Sequence, residues 1–169
     1  LETGLGPANV AQLAESWRVD GLTGVTGTPA VRDNTVYVGT WAGQARAIDL
    51  HTGATGWQRQ IAAAGAMIDD SPLVTGDRVY LGDARGRLHA LDRATGNEVW
   101  NVALDTHANT RIFSSPVLAP APPTGGGDVL VIGVASVELA LVKPDYTFRG
   151  SVVGLDPATG ALLWRRPVS

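Results

Sequence analysis

The chain has 169 residues, with 13 basic and 16 acidic side chains, a net charge of −3 and no cysteine. That balance leaves no electrostatic footprint for nucleic acid. The missing cysteines exclude disulfides, thiolate zinc sites and covalent haem attachment from this segment. No apolar run reaches the ~18 residues of a membrane span, since Glu138 interrupts the longest, 129–142.

Taken in chain order, the first expected element is a short strand over 15–19, carrying Trp17. Apolar alternation then predicts three units of four strands each. The first unit has strands near 28–32, 35–39, 44–49 and 55–60, with Asp33-Asn34 as a hairpin turn. The second has strands near 71–75, 78–82, 87–92 and 97–102, turning at Gly76-Asp77. The third has strands near 115–119, 128–134, 150–155 and 161–166, with an inserted loop over 135–149. Gly and Asn supply the positive φ that tight hairpins require.

One phrase closes every unit. It runs Asp49, Thr52-Gly53, Trp57; then Asp92, Thr95-Gly96, Trp100; then Asp156, Thr159-Gly160, Trp164. A second marker, Thr28-Pro29, Ser71-Pro72 and Ser115-Pro116, keeps step with it. A period of about 40–45 residues with four short strands per unit is the signature of a propeller blade. The Asp carboxylate accepts N–H groups of its own turn, the Gly takes a left-handed conformation, and the Trp fills the wedge between diverging sheets. These residues therefore read as structural, not catalytic.

The expected fold is all-β: a partial β-propeller of three four-stranded antiparallel blades plus one extra N-terminal strand. The divisions fall at 1–24, an outer strand of a preceding blade; 25–62, blade one; 63–105, blade two; and 106–169, blade three with its insertion. A propeller needs about 4–8 blades, and three expose two apolar sheet faces. The chain is thus expected to be part of a longer propeller, or to complete a ring with another copy of itself. Its first residue, Leu1, fits processing or truncation.

Alternating strand direction sorts the loops onto two ends. The segments 21–27, 62–70, 105–113 and 135–149 should share one mouth, where function concentrates. They bring there Thr26, Asp69, Asp70, His107, Arg111, Ser136, Glu138 and Arg149, joined by Trp41, Asp83 and Arg85 from the hairpin turns. Asp69 and Asp70 offer a carboxylate pair for a cation, against which stands the tendency of adjacent side chains to diverge. His89, inside a strand, is set aside.

The stretch Val131-Ile-Gly-Val-Ala-Ser136-Val-Glu138-Leu, followed by Arg149-Gly150 and the third Asp-Thr-Gly-Trp phrase, resembles the quinoprotein alcohol dehydrogenases. The 109–116 lead-in and the opening Asn9-Val-Ala-Gln-Leu13 with Ser16-Trp17 look closest to their polyvinyl-alcohol dehydrogenase branch. The resemblance implies an eight-bladed ring holding pyrroloquinoline quinone (PQQ) and Ca2+. It implies Glu138 as the metal ligand, with Ser136, Arg111 and Arg149 as cofactor contacts. It further implies a periplasmic or secreted enzyme acting on a small or polymeric alcohol. Its catalytic base would lie in later blades, so this chain would be inactive by itself. The family's vicinal cysteine pair is absent, and Thr26 stands where an acidic residue is usual. Those departures suit a second reading: a non-catalytic propeller scaffold or sensor domain that binds a protein partner by strand addition.

Overall fold

The computed structural model describes residues 4–107, 110–123, 125–137 and 148–168. Blade-like sheets arise because each unit alternates two sets of apolar side chains, one for each face. The first sheet is β1 (Ala30–Arg32), β2 (Thr35–Gly39), β3 (Gln44–Asp49) and β4 (Thr55–Gln60), paired antiparallel in that order. The second is β5 (Leu73–Val74), β6 (Arg78–Gly82), β7 (Arg87–Asp92) and β8 (Glu98–Ala103). The two-residue β9 (Thr110–Arg111) comes next. The third sheet is β10 (Val117–Ala119), β11 (Val129–Val137), β12 (Phe148–Leu155) and β13 (Leu162–Val168), and β9 pairs with the far end of β11. Among the described residues the one helical element is a 3-10 turn, Val10–Gln12. Three antiparallel sheets repeated in sequence and left unclosed make a partial β-propeller.

The β1–β2 hairpin turns on Asp33 and Asn34, at φ 47° and 60°. Positive φ at both central residues is the turn that matches strand twist. At the other repeated turn, Asp49 Oδ1 accepts Thr52 N and Thr52 Oγ1, both at 2.8 Å, while Gly53 sits at φ 72°. Asp92 repeats this with Thr95 N at 2.9 Å and Thr95 Oγ1 at 2.7 Å. The hydrogen bonds from Thr52 and Thr95 hold both carboxyls below the usual carboxylate range. The outer strand then takes one extra residue, with register shifts at Ala47/Ile48, Ala90/Leu91 and Gly154/Leu155. Such bulges sharpen local twist.

The tryptophans join one unit to the next. Trp17 Nε1 donates to Leu50 O at 2.7 Å, Trp57 Nε1 to Arg93 O at 3.0 Å, and Trp100 Nε1 to Pro157 O at 3.2 Å. Each indole lies flat on the turn glycine it meets. A Cβ on Gly96 would come within 2.5 Å of Trp57 Cδ2, and one on Gly160 within 2.7 Å of Trp100 Cε3. The turn glycine thus serves two needs, the left-handed backbone and the close approach. On the inner side, Thr28 N donates to Ser71 Oγ at 2.8 Å, and Ser71 N to Ser115 Oγ at 3.0 Å. This hydroxyl ladder is the role of the Ser-Pro marker.

Apolar cores fill the gaps between sheets. Tyr37, Ala47 and Trp57 pack against Val79, Leu81 and Leu91. On the far side of β6 and β7, Tyr80, Leu88 and Ala90 pack against Leu130, Ile132 and Val153. Val36, Val38 and Ile48 are covered by Trp17 and Val19.

The structure departs from expectation at four places. The β5–β6 turn at Gly76-Asp77 is built without a positive φ at either residue, unlike the turn at Asp33-Asn34. Residues 15–19 form no strand, having no ladder partner, although Trp17 still docks as the repeat requires. The insertion is shorter than 135–149, because its ends zip together: Ser136 pairs with Arg149 and Val137 with Phe148. The segment 105–113, expected as loop, contains β9.

Candidate functional site

The loop-bearing mouth forms because inter-sheet segments bond back to hairpin turns. Trp41 N donates to Thr23 O at 3.0 Å, Ile68 N to Thr40 O at 3.1 Å, Ala84 N to Met67 O at 2.8 Å, and Leu104 N to Gly86 O at 2.8 Å. Above the second sheet lies an open cleft of about 760 Å3. Its floor is the β6–β7 turn with Asp83, Arg85 and Arg87. One wall is the Ala63–Met67 loop; the other carries Asp105, His107 and Arg111.

Asp83 is buried in that floor. Its Oδ1 accepts Arg85 N and Arg87 N, both at 2.9 Å, and its Oδ2 stands 3.4 Å from His89 Nε2. Burial pushes its carboxyl up, but the His89 contact and the two backbone N–H bonds outweigh that and leave it below the usual range. His89 Nδ1 in turn lies 2.8 Å from Glu98 Oε1. The sequence reading set His89 aside. A lone histidine between apolar neighbours gives no signal of two carboxylates brought to it across strands.

The adjacent carboxylates Asp69 and Asp70 do diverge. Thr26 Oγ1 donates to Asp69 Oδ1 at 3.3 Å and accepts Trp41 Nε1 at 3.1 Å, tying three mouth residues together. Asp70 turns inward and its Oδ2 accepts Gly82 N at 2.6 Å. Its Oδ1 is buried with no hydrogen-bond partner among the described residues. Desolvation raises the Asp70 carboxyl well above the usual carboxylate range, with the charges of Asp69 and Asp83 adding to it.

At the third sheet, backbone register sets Ser136 beside both Thr110 and Arg149, and Arg111 opposite Ala135. Arg111 lines the cleft, and its Nη1 donates to Thr110 O at 2.8 Å. Thr110 Oγ1 is buried with no hydrogen-bond partner among the described residues. Glu138 lies outside the described residues, as do Asn109, Lys143, Asp145 and Tyr146. Among the described residues no group of three His, Asp or Glu side chains is placed to hold a metal ion.

The profile of the PQQ_2 family, described as outer membrane protein assembly factor BamB, matches residues 9–169. The chain belongs to this family. No curated protein matches it. Among solved structures, the quinohemoprotein alcohol dehydrogenase of Comamonas testosteroni is 26% identical with a TM-score of 0.74, covering 95% of this chain and 24% of that one. A europium-containing methanol dehydrogenase is 22% identical with a TM-score of 0.74, covering 97% of this chain and 28% of that one. A computationally designed protein, Ika4, is 19% identical with a TM-score of 0.58, covering 90% of this chain and 79% of that one. The last two likenesses concern the fold. The chain spans about a quarter of the length of the dehydrogenases it resembles. Within this PQQ_2 chain, no helix of the described residues is long and apolar enough to cross a membrane.

Proposed function

We propose that this chain is the N-terminal part of a quinoprotein dehydrogenase that oxidises an alcohol with PQQ and Ca2+. The supporting observation is the likeness to a quinohemoprotein alcohol dehydrogenase over nearly the whole chain, combined with the strand junction of Thr110, Ser136 and Arg149. The junction suits a carboxylate-bearing quinone. Thr110 Oγ1, a buried hydroxyl with no partner among the described residues, and the guanidinium of Arg111, the following residue, are donors of the kind such a group requires.

In this reading Ser136, Arg111 and Arg149 hold the quinone by its carboxylates, and Glu138 is a Ca2+ ligand. When bound, the quinone takes up two electrons from the alcohol, and the hard calcium ion polarises its carbonyl. The residues of this chain bind and orient; the proton acceptor belongs to other blades. The motifs of residues 9–17 and 109–116 favour a polymeric alcohol, as in the polyvinyl-alcohol branch. A periplasmic or secreted location suits such a substrate.

The immediate partner is the remainder of the ring. Trp164 occupies the docking position of Trp57 and Trp100, yet its indole lies over Gly154 of its own sheet and finds no acceptor among the described residues. Leu162 and Leu163 beside it are exposed. A further unit of the same repeat, with its own Thr-Gly turn, matches that edge, and the blade divisions 25–62, 63–105 and 106–169 are proposed on the same basis.

The test is direct. The full-length protein, supplied with PQQ, calcium and an alcohol, should reduce an artificial electron acceptor. Glu138→Gln should raise the calcium requirement by more than about 10-fold. A purified protein that neither binds the quinone nor turns over would remove the reading. It would leave the second one, a scaffold binding a protein partner, which the family description favours and which predicts no effect of Glu138→Gln.

A further inference from the structure

The cleft over the second sheet has a chemistry of its own. Arg85, Arg87 and Arg111 line it, in a chain whose net charge is −3. Among the described residues, ion pairs occupy Arg18, Arg32, Arg78 and Arg93, but none of these three. Each uses one nitrogen locally: Arg85 Nη2 donates to Ala64 O, Arg87 Nη2 to Asn101 Oδ1, and Arg111 Nη1 to Thr110 O. A guanidinium has five N–H donors, so most of their capacity is left over.

Of the two carboxylates of the cleft, Asp83 is engaged through both oxygens and Asp105 through one. Asp83 is 1% exposed and spends both oxygens on Arg85 N, Arg87 N and His89. Asp105 Oδ1 accepts His107 N at 3.0 Å. Asp83 therefore shapes the turn that carries Arg85 and Arg87 and leaves their side chains to something else. Small residues, Ala63, Gly65 and Ala103, keep the space between the walls open. Its 760 Å3 suits a small organic molecule.

We propose that this cleft binds an organic anion bearing two or more carboxylates, held by Arg85, Arg87 and Arg111. Each planar guanidinium matches a carboxylate two bonds at a time, which lysine does not. Three of them in one concavity favour several carboxylates on one molecule over a single charge. The inference stands on the cleft and does not require the quinone reading, although Arg111 borders both.

Citrate is the probe. Titrated calorimetrically into the full-length protein at low ionic strength, it should bind one to one and weaken as salt is raised. The Arg85→Gln/Arg87→Gln pair should weaken it at least about tenfold. Arg32→Gln, at the opposite end of the sheets, should leave it unchanged. Arg85→Lys/Arg87→Lys keeps the charge and guards against a folding defect; it should bind citrate better than the glutamine pair but below the natural protein. No citrate binding, or binding indifferent to the glutamine pair, overturns the proposal. Inorganic phosphate binding as tightly as citrate overturns the polycarboxylate assignment. Loss of PQQ binding in the Arg85→Gln/Arg87→Gln pair overturns it too, by making the cleft part of the cofactor's own site.

Discussion

Replacing Trp57 by alanine is expected to destabilise the protein by about 3–5 kcal/mol, the range for removing a large buried aromatic. The ring is buried between the first and second sheets, 6.0 Å from the Tyr37 ring and flat against Gly96. Its removal empties the wedge at the point where the sheets diverge, and Gly96 has no side chain with which to fill it. It also strips Arg93 O of the indole donor. Trp57→Phe keeps one aromatic ring but loses the indole N–H and part of the volume, so its cost should fall between the about 1 kcal/mol of the hydrogen bond and that of Trp57→Ala. Trp17→Ala should cost less than Trp57→Ala, because Trp17 is only half-buried and covers the outer face of the first sheet. Urea denaturation followed by tryptophan fluorescence measures all three. A Trp57→Ala protein within 1 kcal/mol of the natural one would show that the gap is held by the surrounding aliphatic core instead.

The part of this molecule that could be read from sequence is the part built from local chemistry. Asp49, Thr52 and Gly53 make their turn within five residues, and the same holds for Asp92 and Asp156, so the phrase and its spacing expose the blade without any long-range information. Asp33-Asn34 announces its hairpin for the same reason. What escaped the reading depends on contacts made across the sheets. Thr110 and Arg111 form a strand only because β11 runs far enough to meet them, and the ends of the 135–149 insertion pair because the hairpin continues past the sheet. The 15–19 segment has strand-like alternation and no strand beside it to ladder with. The cleft is the clearest case: Arg85 and Arg87 were placed by a turn and Arg111 by a strand pairing, and only Asp83, buried beneath them, reveals that the turn is fixed. The proposed quinone contacts rest on a resemblance, while the arginine cleft rests on the fold.

The second large effect concerns Asp70. In the repeat, Asp70 and Ser114 stand two residues before the Pro of successive Ser-Ser/Asp-Ser-Pro segments. Ser114 Oγ both accepts Gly133 N and donates to Gly133 O, each at 2.9 Å. Asp70 makes the matching bond from Gly82 N but leaves its other oxygen buried with no partner among the described residues. A buried acceptor without a partner costs about 1–3 kcal/mol, so Asp70→Ser should stabilise the protein at neutral pH by an amount of that order. The gain must depend on pH, and its sign follows from the raised folded-state pKa. In acid, below about 3.9, the carboxyl is protonated in the folded and the unfolded chain alike. As pH rises past that value the unfolded chain ionises first, while burial keeps the folded one protonated. The unfolded state is thereby favoured, and stability is lost until the folded group ionises as well. Natural and Asp70→Ser proteins should therefore differ least near pH 3.5 and most near neutrality, with Asp70→Asn, which removes the charge alone, following the same trend. Denaturation midpoints at both pH values decide it. A difference that is the same in acid and at neutrality would mean that Asp70 titrates alike folded and unfolded, and that its burial carries no electrostatic penalty.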